Sequence, residues 1–248
     1  MCIRDRSWMV DEYNKLVGVS SIGVLTGKPV EFGGSLGRNE ATGYGVAVTV
    51  RESAKKMGID MTHAKIAVQG FGNVGAFTVK NIQKLGGTVV AVAEWAKEVG
   101  PYAIYKEDGL DFQAMWDYRA EKGNLVDFPG SKMISMDEFW SAQVDVVVPA
   151  ALENSIDAAV AEKIQAKLVC EAANGPTTPE GDEVLNRKGI ILTPDILTNA
   201  GGVTVSYFEW VQNLYGYYWS EAEVEAKEDE AMAVSYTHLR AHETDQYL

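Results

Sequence analysis

The chain has 248 residues, enough to bury a full hydrophobic core, and its 46% apolar and 23% charged residues match ordinary globular proteins. A formal net charge of −13 with no basic cluster excludes a nucleic-acid backbone as partner, because like charge repels the phosphates. Two cysteines, Cys2 and Cys170, and three histidines exclude a disulfide framework and argue against zinc, and no apolar run approaches the roughly 20 residues of a membrane span.

This cysteine usage fits the reducing cytoplasm, and the first residues lack the basic, apolar, small-residue order of a signal peptide. Residues 1–6 and 234–248 do not continue the patterns beside them. They resemble run-on translations of sequencing adapters and are set outside the functional reading, the alternative being an ordinary disordered tail. From Trp8 onward Met9, Tyr13, Leu16 and Val17 recur at helical spacing, and Gly18 is placed to end that helix. A glycine-rich loop, Gly33-Gly34-Ser35-Leu36-Gly37-Arg38, then leads into a helix over 41–57 whose Val46, Val50, Ala54 and Met57 mark a buried face.

Residues 65–69 form a short apolar strand, followed by glycines, a helix through Val79 and Ile82 to Leu85, and a second strand over 88–93. Further apolar runs at 144–148, 167–170 and 190–192 alternate with helix-like stretches such as 156–164. Alternation of this kind predicts an α/β fold, a doubly wound and mostly parallel sheet of the Rossmann type with helices on both faces. Near the end, Ser220 and Glu223 make a capping box for a helix through Glu225, Lys227 and Met232.

Gly70-Phe71-Gly72-Asn73-Val74-Gly75 matches the dinucleotide pattern G-x-G-x-x-G, a short motif that gains weight only from context. It follows an apolar strand, opens a helix, and is followed by an acid, Glu94, at the end of the next strand. The first glycine allows the tight turn, the second lets the backbone approach a pyrophosphate, and the third lets helix and strand pack closely. A carboxylate at Glu94 accepts hydrogen bonds from ribose hydroxyls and repels a 2′-phosphate, which favours NAD over NADP. Lys97 nearby can partly offset that repulsion, and an exposed glutamate at a strand end remains the alternative.

Four longer segments resemble the glutamate dehydrogenases within the Glu/Leu/Phe/Val dehydrogenase family. They are Gly33-Gly34-Ser35-Leu36-Gly37-Arg38-Asn39-Glu40-Ala41-Thr42-Gly43, Pro149-Ala150-Ala151-Leu152-Glu153-Asn154, Cys170-Glu171-Ala172-Ala173-Asn174-Gly175-Pro176-Thr177, and residues 199–210 from Asn199 to Trp210. The resemblance spans about residues 7–233. It implies that Thr42 and Asn73 contact NAD and that Ala150, Asn174 and Asn199 line the rest of its groove. Short amide and hydroxyl groups suit ribose and carboxamide without adding charge, although each can also cap a turn. It further implies that Arg38, Val203 and Ser206 contribute to the substrate pocket, Ser206 near the side-chain carboxylate of glutamate. Arg38 can alternatively be the structural partner of a buried acid.

The implied reaction is NAD-dependent oxidation of L-glutamate to 2-oxoglutarate and ammonium. The implied lysine and aspartate of catalysis precede residue 7 in the family pattern, so no catalytic acid or base is expected in this chain, and Asp11 does not take that role. The expected layout is a linking helix over 7–19, an NAD-binding domain over 20–212, and the start of a carboxy-terminal helical segment over 213–233. The family also implies a homohexamer. Open alternatives are a dehydrogenase of leucine, valine or phenylalanine, and a non-catalytic NAD-binding module.

Overall fold

The computed structural model describes residues 3–244. Helix α1 (Ile3–Val17) ends at Gly18, whose φ of +73° and N–H bond to the Asn14 carbonyl close the helix as its position predicts. The apolar spacing does not mark a buried face here. Trp8, Met9, Tyr13, Leu16 and Val17 are all exposed, and Val10 is the side chain that packs inward.

Two short 3₁₀ turns (Ile22–Val24 and Val30–Phe32) lead to α2 (Ala41–Lys56), which buries Val46, Val50 and Ala54. Then come β1 (Lys65–Gln69), α3 (Asn73–Lys84) and β2 (Thr88–Ala96), and the strand-helix-strand unit lies where the sequence predicts it. β2 runs three residues beyond the expected end because it continues as one arm of an antiparallel pair with β3 (Gly100–Tyr105). The chain goes on through α4 (Phe112–Lys122), β4 (Lys132–Ile134) and α5 (Met136–Trp140). β5 (Val146–Pro149), α6 (Ala158–Lys163), β6 (Leu168–Cys170), α7 (Pro179–Arg187) and β7 (Ile191–Thr193) follow. Helix α6 starts later than the apolar pattern suggests. Asp157 caps it by accepting from the Val160 amide at 2.8 Å, while Ile156 pairs with Thr177.

The described strands make one sheet in the order β4-β3-β2-β1-β5-β6-β7, parallel from β2 to β7 and antiparallel at β3 and β4. The pleat sends alternate side chains to opposite faces. Ile66, Val68, Val146 and Val148 pack with Val46 of α2, Val79 and Ile82 of α3 and Met115 of α4. Ala67, Val147 and Val169 pack on the other face with Phe139 and Trp140 of α5, Ala161 of α6 and Leu185 of α7. Burial on both faces is why these strands read as continuous apolar runs.

The chain closes with α8 (Asp195–Thr198), α9 (Gly201–Tyr215) and α10 (Glu221–Thr244). The Ser220–Glu223 capping box is formed, the Glu223 carboxylate accepting from the Ser220 amide at 2.7 Å. Helix α10 then continues without a break past residue 234. That stretch holds good helix formers and neither glycine nor proline, and Tyr236 is buried. On α9, Val203, Tyr207, Trp210 and Leu214 recur at helical spacing on an exposed apolar face. No helix of the described residues is long and apolar enough to cross a membrane.

Candidate functional site

A parallel sheet gathers the carboxyl ends of its strands and the amino ends of the following helices on one edge, and a crevice opens there where the strand order reverses. The reversal lies between β1 and β5. The Ala150 amide donates to the Gln69 carbonyl at 2.8 Å, and the Ala172 and Ala173 amides to the Pro149 carbonyl at 3.0 and 2.9 Å, drawing three loops together.

Gly70, Phe71 and Gly72 turn the chain from β1 into α3, whose first turn carries Asn73, Val74 and Gly75. Gly70 has a φ of +95°, and a Cβ on Gly75 would stand 2.0 Å from the Gly70 carbonyl oxygen, so turn geometry and close packing explain both residues. Gly72 is different. Its φ is −71°, open to any residue, and a Cβ there would meet nothing within 4 Å. Every other glycine of the chain either has positive φ or would put a Cβ within 3.3 Å of a neighbour. Neither backbone nor packing demands glycine at position 72. It leaves open the space beside the free amides of α3, where an anionic phosphate group would be held.

The amino end of α2 borders the same space. Gly43 lies against Phe77 of α3 and Gly45 against Gly201 of α9, where a Cβ would come within 2.6 and 2.8 Å of backbone atoms, so three helices meet there. The Thr42 hydroxyl is set beside Gly202. Asn199 donates from Nδ2 to Asn174 Oδ1 at 2.8 Å, which leaves the Asn174 amide nitrogen and the Asn199 carbonyl oxygen for a ligand. Asn73 donates to the Asn39 carbonyl at 3.0 Å. A cleft of about 370 Å³ is lined by Arg38, Thr42, Val74, Ala150, Asn174, Asn199 and Val203 among others. The fold thus brings seven of the expected residues to one cavity, beside the glycine turn. An adjoining cleft of about 490 Å³ shares Arg38 and also reaches Arg6, Lys28 and Asn73.

Arg38 donates from Nε to Ser206 Oγ at 2.9 Å, and the Ser206 hydroxyl donates to the Gly202 carbonyl at 2.9 Å. Its proton is therefore turned into the helix and not toward the cleft. No carboxylate lies within ion-pair distance of Arg38 among the described residues, but the buried acids Glu209 and Glu228 lie close enough for their charges to act on it. Burial, with the nearby Arg6 cation, pulls the Arg38 guanidinium below its ordinary pKa. A cation in a cleft with no carboxylate in direct contact favours an anionic ligand. Arg38 is also the only titratable side chain lining the 370 Å³ cleft among the described residues, so the cleft walls hold no general acid or base.

Glu94 lies within β2, on the face turned to α4, and its backbone adjoins the glycine turn through the Gly70 amide, which donates to the Ala93 carbonyl at 2.7 Å. It does not stand free at a strand end. Arg119 of α4 pairs with it, Nη2 to Oε1 at 2.7 Å. No local pattern marks Arg119, because the pair spans a sheet-to-helix contact between residues far apart in the chain. A second unanticipated feature is the buried pair of Lys28 and Glu209, which fastens the loop before α2 to α9. Arg6 donates to the Thr26 carbonyl at 2.8 Å and so enters this neighbourhood as well. Cys170 is fully buried, and burial pushes its thiol up to about 12, which removes it as a nucleophile. Cys2 lies outside the described residues.

A doubly wound α/β domain of Rossmann type, with a glycine turn at its switch point and a cationic cleft beside it, is the class of protein that this fold and site define. Residues 33–247 match the model of the Glutamate/Leucine/Phenylalanine/Valine dehydrogenase family, and the chain belongs to that family. It is 74% identical over 230 residues to an NAD-specific glutamate dehydrogenase of Clostridioides difficile, covering 93% of this chain and 55% of the relative. Identity to an NAD-specific glutamate dehydrogenase of Peptoniphilus asaccharolyticus is 64% over 227 residues, covering 91% and 54%. A crystal structure of glutamate dehydrogenase from Peptoniphilus asaccharolyticus superposes with a TM-score of 0.86 at 56% identity, covering 98% of this chain and 56% of that one. Hetero-hexameric glutamate dehydrogenase from Thermus thermophilus gives 0.84 at 34% identity, covering 93% and 53%. The chain spans about half the length of the relatives it matches.

Proposed function

We propose that this chain is the coenzyme-binding part of an NAD-dependent glutamate dehydrogenase, which converts L-glutamate, NAD and water to 2-oxoglutarate, ammonium, NADH and a proton. The observation that carries the reading is Gly72, a glycine that neither its φ nor its packing requires, at the amino end of α3 where it leaves room for a phosphate group. Bound NAD would supply the hydride acceptor for the substrate α-carbon.

The chain's own residues bind and orient. Gly70 to Gly75 and the α3 amides hold the pyrophosphate, Glu94 the adenosine ribose, and Thr42, Ala150, Asn174 and Asn199 the nicotinamide half. Arg38, with Ser206 and Val203, meets the carboxylates of the substrate, and its charge favours a dicarboxylic amino acid over leucine, valine or phenylalanine. The lysine and aspartate of catalysis that the family resemblance implies are assigned to the part of the family's length that this chain does not match. The exposed face of α9 is where such a part would close the cleft against water. A homohexamer in the cytoplasm is the proposed setting. The assembled Thermus relative supports the hexamer, and the buried, unpaired Cys170 fits a reducing compartment.

Calorimetric titration of the purified chain tests the reading. NAD binds, Gly72→Asp abolishes the binding, and glutamate yields no NADH with the chain alone. Absence of NAD binding by the parent sinks the reading, and glutamate-dependent NADH formation by the chain refutes the assignment of the catalytic groups elsewhere.

A further inference from the structure

We propose that Arg119 is a positioning residue for coenzyme choice: it pins one oxygen of Glu94 and turns the other toward a ribose hydroxyl of NAD. The inference rests on the reading of the glycine turn as an NAD site.

Arg119 sits in the last turn of α4, with its guanidinium carbon 6.0 Å from the ring centroid of Phe71, the residue between the first two glycines of the turn. The ring and the 2.7 Å bond to Glu94 Oε1 together fix the guanidinium plane against the coenzyme site. Two polar atoms of this pair are nevertheless buried without a partner, Glu94 Oε2 and Arg119 Nε. One is an acceptor that lacks a donor, the other a donor that lacks an acceptor. A hydroxyl is both, so a ribose hydroxyl can complete either of them, and no side chain among the described residues does so. An ionised 2′-phosphate ester brings acceptors only. It would satisfy Nε and set its oxygens against Oε2, charge against charge.

Arg119 is needed for the acid to act in this way. Burial alone lifts the Glu94 carboxyl above its ordinary value, and the Arg119 charge and hydrogen bond oppose that shift. Without Arg119 the carboxyl turns freely and holds its proton more readily, and a neutral acid neither repels a phosphate nor accepts as strongly from a hydroxyl. Tyr102 of β3 also faces Glu94, but its hydroxyl oxygen accepts from the Leu125 amide at 2.8 Å and cannot replace the cation.

The test is the ratio of NAD to NADP dissociation constants, measured by calorimetry for the parent, Arg119→Met, Arg119→Lys and Glu94→Gln, with circular dichroism to check folding. Arg119→Met weakens NAD about 10-fold and leaves NADP unchanged or tighter, so discrimination falls. Arg119→Lys keeps the charge on Oε1 and retains most of it, which still decides the matter if the methionine variant folds poorly. In the Glu94→Gln background Arg119→Met changes the ratio no further. A larger loss of NADP affinity than of NAD affinity in Arg119→Met, relative to the parent, would make Arg119 a phosphate receptor and overturn the proposal. An unchanged ratio would reduce the pair to packing and overturn it equally. In both cases NAD binding by the parent leaves the reading of the site standing, whereas a parent that binds neither coenzyme overturns both.

Discussion

Lys28 Nζ lies 2.6 Å from Glu209 Oε1, and both side chains are wholly removed from solvent although the residues are 181 positions apart. The ammonium also donates to the Leu25 carbonyl and to Asn213 Oδ1, and Glu209 accepts from the Gly27 and Lys28 amides. Such a pair is tolerated because its hydrogen bonds are nearly complete, and removing one partner strands a buried charge. Lys28→Met should therefore destabilise the fold by about 3 to 5 kcal/mol, read as a lower midpoint in urea unfolding. Replacing both, Lys28→Met with Glu209→Gln, should recover part of the loss, and an additive double variant would show that the two residues act separately.

Gly72 and Gly75 should respond in opposite ways to the same added methyl group. Gly72→Ala has room and an ordinary φ, so stability should change by less than about 1 kcal/mol while NAD affinity drops at least about 10-fold. Gly75→Ala places a Cβ onto the Gly70 carbonyl and should lower the melting temperature outright. Thermal melts beside NAD titrations separate the two effects.

Glu228 of α10 is 2% exposed, stands against Gly201 and has an unpartnered Oε1, and burial pushes its carboxyl up to about 9. Arg38 opposes the shift, while Glu225 and Asp229 on the same helix add to it. A carboxyl raised above its unfolded value folds protonated. Its stabilising contribution is complete below the unfolded pKa near 4.5 and is lost as pH rises toward 9, at up to about 1.4 kcal/mol per pH unit. Glu228→Gln should match the parent at pH 4, be more stable by about 1 to 3 kcal/mol at pH 7, and flatten the curve between. Unfolding free energies across that range check the prediction, and a glutamine variant with the parent's slope contradicts it.

Arg38→Met should separate substrate from coenzyme. Loss of a charge-assisted contact to a carboxylate predicts about 10-fold to 100-fold weaker binding of 2-oxoglutarate by the full-length enzyme, with NAD affinity nearly unchanged. Inhibition by a dicarboxylate lacking the amino group, glutarate, should weaken in parallel. Equal loss for NAD would place Arg38 in the coenzyme groove instead.

The alternation of apolar runs and helical spacing determined the strand-helix-strand unit, the mostly parallel sheet and the glycine turn, because those signals are local and the parallel strands are buried on both faces. The Ser220–Glu223 cap was legible for the same reason, since its two halves lie three residues apart. β3 and β4 were not. β3 opens with Gly100-Pro101, a breaker in any local reading, and becomes a strand because β2 continues past the parallel sheet and offers it an antiparallel partner. The face of α1 that looks apolar in sequence stays exposed, since periodicity states what can be buried and the surrounding fold decides what is. Among the site residues, the glycines and Glu94 announced themselves by spacing. Their physical roles depend on tertiary contacts: the open space at Gly72, the Arg38 guanidinium held on Ser206, the Ser206 proton turned into its helix, and Arg119 fixed on Glu94. Each arises where elements distant in the chain pack, and a Coulomb or hydrogen-bond energy that falls off within a few ångströms cannot be read from positions along a sequence.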